Sequence, residues 1–155
     1  MESRNHFKNG AIPKSQMSRI KLKMNIMKLV LEAKVEISLK SWKGDYLHRP
    51  DTEQGVTTWN TGIGNRWIVE PVEGGKYKFK SWKGDYLHRP DTDQGVTTWL
   101  TGVGNEWIVE PIGDGNKIKL KSWKGDYLHR PDTDQGEVTT WNTGVGNEWI
   151  VEIIW

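Results

Sequence analysis

The chain has no cysteine, so neither a disulfide framework nor a thiolate metal site can hold it together. It also has no long apolar run. The stretch from Ile150 to Trp155 is interrupted by Glu152 and is far too short to span a bilayer, so no transmembrane segment is expected. Lys21, Lys23 and Lys28 break up the N-terminal apolar residues that a secretory signal would need, which makes cytoplasmic residence the expectation. Aliphatic and aromatic residues together reach only 35% of 155 residues, and phenylalanine occurs twice. Ten tryptophans stand against that scarcity. Each can bury a large area, so a single domain of this length can still build a core.

A basic face is missing as well. Residues 1–34 carry eight Lys/Arg against two acids, whereas residues 35–155 carry fourteen against eighteen. The positive net charge belongs to the first segment alone, and the remainder is mildly acidic. Nucleic-acid recognition needs clustered cations, so no nucleic-acid partner is expected.

What is present is repetition. Ser-Trp-Lys-Gly-Asp-Tyr-Leu-His-Arg-Pro-Asp begins at Ser41, Ser81 and Ser122, at spacings of 40 and 41, and the third copy gains one residue, Glu137. Each copy closes on Gly-Asn-x-Trp-Ile-Val-Glu, starting at Gly64, Gly104 and Gly146. The copies span residues 35–74, 75–115 and 116–155. Residues 1–34 lie outside them and read as a basic, disordered leader, with Met27 a second candidate start; a basic arm is the alternative.

Local pattern within a copy is β throughout. Glu36 to Lys40 alternates polar and apolar, as do Lys76 to Lys80 and Lys117 to Lys121. Lys-Gly-Asp is a turn before the short strand Tyr46-Leu47-His48, which Arg49-Pro50-Asp51 ends. Val56 to Trp59 and Trp67 to Glu70 complete four strands. Three copies of four strands are too few for a propeller, and the strand pattern excludes helical solenoids. A closed barrel capped by three hairpins, the β-trefoil, leaves the fewest open edges. Its expected core is Leu39, Phe79 and Leu120 with Trp67, Trp107 and Trp149, joined by Tyr46, Tyr86 and Tyr127.

The string Gly-Gly-Lys-x-x-x-Lys-Ser-x-x-Gly-x-Tyr-Leu, from Gly74 to Leu87, resembles the repeat unit of the hisactophilin and fascin group, and Trp149 to Ile154 is similar to the hisactophilin C-terminus. The resemblance covers residues 35–155. It implies a β-trefoil and, as partner, actin filaments that the domain binds or cross-links. Only His48, His88 and His129 occur in the repeats, and Glu2 stands where a myristoylation signal needs glycine, so a pH-switched membrane role is not implied.

Two sets of residues are candidates for a binding site. Trp42, Trp82 and Trp123 sit in the Ser-Trp-Lys-Gly turn, and Trp59, Trp99 and Trp141 end the third strand. These six are either hydrophobic caps over the barrel or platforms on which a ligand stacks. The polar set is Asp45, His48, Arg49 and Asp51, repeated as Asp85, His88, Arg89 and Asp91 and as Asp126, His129, Arg130 and Asp132. It reads either as a turn with a local Arg–Asp pair or as a pocket beside the turn tryptophan. Aromatic faces beside Asp and Arg suit a sugar, so glycans are the alternative partner, with three equivalent sites.

No cofactor is indicated. Asp91-Thr92-Asp93-Gln94-Gly95 has too few oxygen ligands for a calcium loop, leaving no metal site. Catalysis is not expected either, because equivalent Asp, His and Ser residues in a threefold body stay far apart. Repetition suits multivalent binding by a monomer.

Overall fold

A computed structural model describes residues 35–134 and 136–155, so the expectations for residues 1–34 lie outside the described residues. Twelve strands follow one another in three equivalent sets. The first set is β1 (Glu36–Lys40), β2 (Tyr46–His48), β3 (Thr57–Trp59) and β4 (Trp67–Val72). The second is β5 (Lys76–Lys80), β6 (Tyr86–His88), β7 (Thr97–Trp99) and β8 (Ile108–Ile112). The third is β9 (Lys117–Lys121), β10 (Tyr127–His129), β11 (Thr139–Trp141) and β12 (Trp149–Ile154). No α-helix occurs among the described residues.

The first and fourth strands of the three sets form a closed ring. β1 pairs antiparallel with both β12 and β4, β4 with β5, β8 with β9, and β9 with β12. The remaining junction, between β5 and β8, is closed by Tyr77 and Trp107, whose backbones exchange two hydrogen bonds of 2.8 and 2.9 Å. Closure removes the free edges that an open sheet of short strands would present. The second and third strands form hairpins, β2–β3, β6–β7 and β10–β11, each joined to the ring through one residue pair such as Lys40 and Tyr46. Six ring strands and three hairpins make the β-trefoil that the repeats imply.

Period-two alternation decides what faces inward. Ile37 and Leu39 on β1, Phe79 on β5, and Ile118 and Leu120 on β9 have no exposed surface. Trp67, Trp107 and Trp149 are equally buried, as expected. Their indole N–H groups are not orphaned: they donate to the Leu47, Leu87 and Leu128 carbonyls at 3.0, 3.0 and 3.1 Å. Those leucines are themselves buried, so each tryptophan ties a ring strand to its own hairpin. A large apolar body with a satisfied polar tip suits this position.

Tyr46, Tyr86 and Tyr127 depart from the expected core. They are half-buried, because Leu47, Leu87 and Leu128 take the inward phase and the flanking residues must turn outward. Their hydroxyls donate to Glu152, Glu70 and Glu110 at 2.9, 2.8 and 2.9 Å.

The third copy departs from symmetry where its extra residue lies. The Gly136 carbonyl accepts the Thr58 N–H at 2.8 Å, and a Cβ on Gly136 would come within 2.3 Å of the Thr58 oxygen. Only glycine fits there.

Leu120→Ala empties a fully buried site in the middle of the ring and should cost roughly 2–5 kcal/mol of unfolding free energy, read by chemical denaturation. A loss below about 1 kcal/mol would mean that Leu120 is not core.

Candidate functional site

The repeated Ser-Trp-Lys-Gly-Asp turn and the repeated Arg-Pro-Asp segment meet each other, and they meet across copies. The turn is closed by Ser41, whose N–H donates to the Asp45 carbonyl at 2.7 Å and whose hydroxyl bonds the Asp45 carboxylate. Gly44 sits there at φ 94°, a conformation glycine adopts freely. Arg49 then reaches into the corresponding turn of the second copy. Its Nε and Nη2 donate to the two oxygens of Asp85 at 3.1 and 2.9 Å, a bidentate grip. The same guanidinium donates to the carbonyls of Thr52 and Glu53 at 3.1 and 3.0 Å, which closes its own loop. Arg89 holds Asp126 in the same manner at 2.7 Å, and Arg130 returns to Asp45 at 2.9 Å.

The three arginines are 1–2% exposed. Burying a guanidinium is tolerable only with a paired anion and its donors satisfied, and both conditions hold here. The Arg–Asp pair is therefore not local to a turn, as the sequence suggested. It joins successive copies, and the three pairs run head to tail around the barrel. Nor do polar residues of different copies stay apart: equivalent ones do, whereas Arg49 and Asp85 touch.

Two further contacts run along each seam. Trp82 Nε1–H donates to the Arg49 carbonyl at 2.8 Å, as Trp123 does to Arg89 and Trp42 to Arg130. Lys83, Lys124 and Lys43 reach Asp51, Asp91 and Asp132 at 2.6 Å. The same lysines lie over the rings of Trp82, Trp123 and Trp42 at 5.3, 5.3 and 5.4 Å. The turn tryptophans, 39–40% exposed, are thus seam elements with their N–H spent and one face covered.

His48, His88 and His129 are spent as well. Each Nδ1 hydrogen-bonds the side-chain oxygen of Asn65, Asn105 or Asn147 at 2.7 Å, beneath a one-turn 3-10 segment. The ring packs so closely on Gly64 that a Cβ there would lie 2.6 Å from it, which explains that glycine.

Trp59, Trp99 and Trp141 behave differently. They are 61, 51 and 51% exposed, and their indole N–H groups have no partner among the described residues. Alternation places Thr58, Thr98 and Thr140 inward, so the tryptophans point out. Trp99 stands on one wall of a cleft of about 460 Å³ that spans the first seam. Its first-copy wall is Arg49, Glu53 and Gln54, and its second-copy wall is Lys83, Asp85, Thr98, Trp99 and Leu100. Two further grooves, of about 500 and 330 Å³, run beside Trp42 and Trp123.

Of the sequence candidates, the structure brings Arg49, Asp85 and Trp99 to one cleft and leaves the histidines outside its lining. Glu53, Gln54, Lys83 and Leu100 were missed, because a single copy shows no sign of which neighbour it will face. The threonine of Val-Thr-Thr-Trp was a usable signal, since a polar residue in the inward phase needs a buried partner. Thr58 donates to Asp45 at 2.8 Å, and Thr98 accepts the Gly55 N–H at 3.1 Å.

Burial alone would raise the pKa values of Asp45, Asp85 and Asp126, but hydrogen bonds from arginine, serine and threonine outweigh it and hold all three below the usual carboxylate value. The cleft therefore contains a fixed ion pair, an aromatic face, an amide and an exposed acid. Such a set offers stacking and hydrogen bonds to a polar ligand.

No protein-family model and no curated protein matches the sequence. Solved structures do match in shape. A designed 3-fold symmetric protein, ThreeFoil, is 19% identical at a TM-score of 0.68, over 75% of this chain and 96% of its own. The Polyporus squamosus lectin bound to a human-type influenza-binding epitope has the same identity and TM-score, over 77% of this chain and 49% of its own. The BEL β-trefoil is 18% identical at 0.65, over 77% of this chain and 93% of its own. At these identities the likeness establishes the β-trefoil fold.

The seam carboxylates make stability depend on pH. Their pKa values are lower folded than unfolded, so their contribution is complete above about pH 4, near the ordinary Asp value, and is lost as pH falls through the lowered folded values. Denaturant midpoints should be level between pH 5 and 7 and drop steeply below pH 4. A D45N/D85N/D126N variant should be less stable at pH 7 with a flatter acid limb. An equally steep limb in that variant would place the acid sensitivity elsewhere.

Proposed function

We propose that the protein is a non-catalytic, multivalent glycan-binding module whose three sites lie on the seams between repeats. The carrying observation is the set of exposed strand-end tryptophans, Trp59, Trp99 and Trp141, of which Trp99 stands in a cleft lined by polar groups of two copies. A tryptophan that contributes to no core and makes no hydrogen bond leaves an unusual area of aromatic surface in water. Sugars suit such a surface, because the ring covers the apolar face of a pyranose while neighbouring carboxylate, amide and ammonium groups meet the hydroxyls. That the lectin of similar shape was solved with a glycan epitope supports the same class.

The cleft offers little to an enzyme. Asp85 is held ionised by Arg49, Ser81 and Thr98, which suits an anchor and not a proton donor. Three weak sites on a rigid body raise avidity and let one molecule bridge several ligands.

Actin filaments are the partner implied by the resemblance of Gly74 to Leu87 to the hisactophilin and fascin group. A glycan array run beside filament co-sedimentation separates the two. On the glycan reading, Trp99→Ala removes about one third of the binding stoichiometry, and W59A/W99A/W141A abolishes agglutination of glycan-bearing particles. Stability should change by less than about 0.5 kcal/mol per site, since these side chains are mostly exposed. Free sugar should compete. Binding to filaments with no glycan signal, or unchanged agglutination by the triple variant, would defeat the proposal.

A further inference from the structure

The surroundings of the three exposed strand-end tryptophans are not identical in sequence. At the first seam the residue after the exposed tryptophan is Leu100, 69% exposed and part of the cleft lining. Its equivalents at the other two seams are Asn60 and Asn142. The facing lip differs too: Glu53 stands where Asp93 and Asp134 stand elsewhere. Other nearby lining positions, such as Lys83, Thr98 and Trp99, have identical counterparts around the barrel.

An asparagine at the rim presents an amide that can donate to and accept from a hydroxyl. A leucine there presents only methyl groups. Leu100 gains nothing from the fold, because it is more exposed than any other aliphatic side chain among the exposed hydrophobics. Glu53 extends one methylene further into the cleft than an aspartate would, and it lies beside the Gln54 amide. An acetamido substituent matches this combination. Its methyl group can rest on Leu100, its N–H can donate to a carboxylate and its carbonyl can accept from an amide.

Resting on the glycan reading above, we infer that the Trp99 cleft selects a saccharide bearing an N-acetyl group, whereas Trp59 and Trp141, each followed by an asparagine, lack that preference. The domain then carries one site whose specificity differs from the rest. It would bridge two kinds of sugar unit and not only several copies of one.

The test uses the full chain labelled with 15N, so that the indole N–H resonances of Trp59, Trp99 and Trp141 report the three positions separately. The probes are the methyl glycosides of N-acetylglucosamine and glucose, and of N-acetylgalactosamine and galactose. The Trp99 resonance should saturate at a concentration about fourfold lower with the N-acetyl sugar of a pair, the effect of one buried methyl-sized group. Trp59 and Trp141 should show no such preference. L100N should erase it, and N142L should install it at Trp141; both positions are exposed, so both variants should fold. Equal preference at all three resonances, or a preference that survives L100N, overturns the inference while leaving glycan binding in place. If none of the sugars moves any of the three resonances, the glycan reading falls and takes this inference with it.

Discussion

The ion pair between Arg49 of one repeat and Asp85 of the next is the interaction on which the rest of the structure depends. A guanidinium with 1% of its surface exposed cannot remain charged in a protein interior without a carboxylate beside it. Neither half of the pair has an ion-pair partner within its own copy. A lone repeat would leave one buried cation and one half-buried anion unmatched, so each copy requires a neighbour on both sides. Three copies satisfy every pair by returning Arg130 to Asp45. The short passage repeated three times thus encodes both faces of the seam, the turn that receives and the segment that inserts. That accounts for its being unchanged through positions that look, within one copy, like an ordinary loop.

The same constraint builds the candidate site. Because Arg49 draws its loop toward the following turn, Glu53 and Gln54 are carried opposite Trp99, which belongs to a different copy. The tryptophans divide accordingly. Trp67, Trp107 and Trp149 fill the barrel and hold the hairpins. Trp42, Trp82 and Trp123 tie the seams by their N–H groups and keep one face in solvent. Trp59, Trp99 and Trp141 hold nothing, and that freedom is what suits them to a ligand. A ligand site on a seam would inherit the rigidity of the lock beneath it, which lowers the ordering cost of association.

Much of the fold is legible in the sequence. Alternation over Glu36–Lys40 and its equivalents locates the ring strands and their inward leucine and phenylalanine, because period two survives in short segments. Repeat length and strand count then point to closure. Tyr46 and its equivalents were misplaced because a three-residue strand has two possible phases, and only the Leu47–Thr58 register shows which faces inward. The seam was out of reach for a different reason. Arg49 and Asp51 are close in sequence, so a local pair is the simplest expectation, yet the structure sends Arg49 to a carboxylate 36 residues away. Identical copies conceal which partner is chosen, since Asp45, Asp85 and Asp126 look alike until the barrel closes.

A double-mutant cycle on the first seam measures how strongly Arg49 and Asp85 are coupled. Arg49→Leu and Asp85→Leu are made singly and together, and unfolding free energies are measured in denaturant at pH 7 and constant salt. Each single change should cost roughly 3–5 kcal/mol, since each strands a buried partner. The double variant should lose far less than the sum, with a coupling energy above about 1.5 kcal/mol. Additive losses with coupling near zero would contradict the dependence of the structure on this pair, because the pair would then be a surface ornament and the barrel would be held by its core alone.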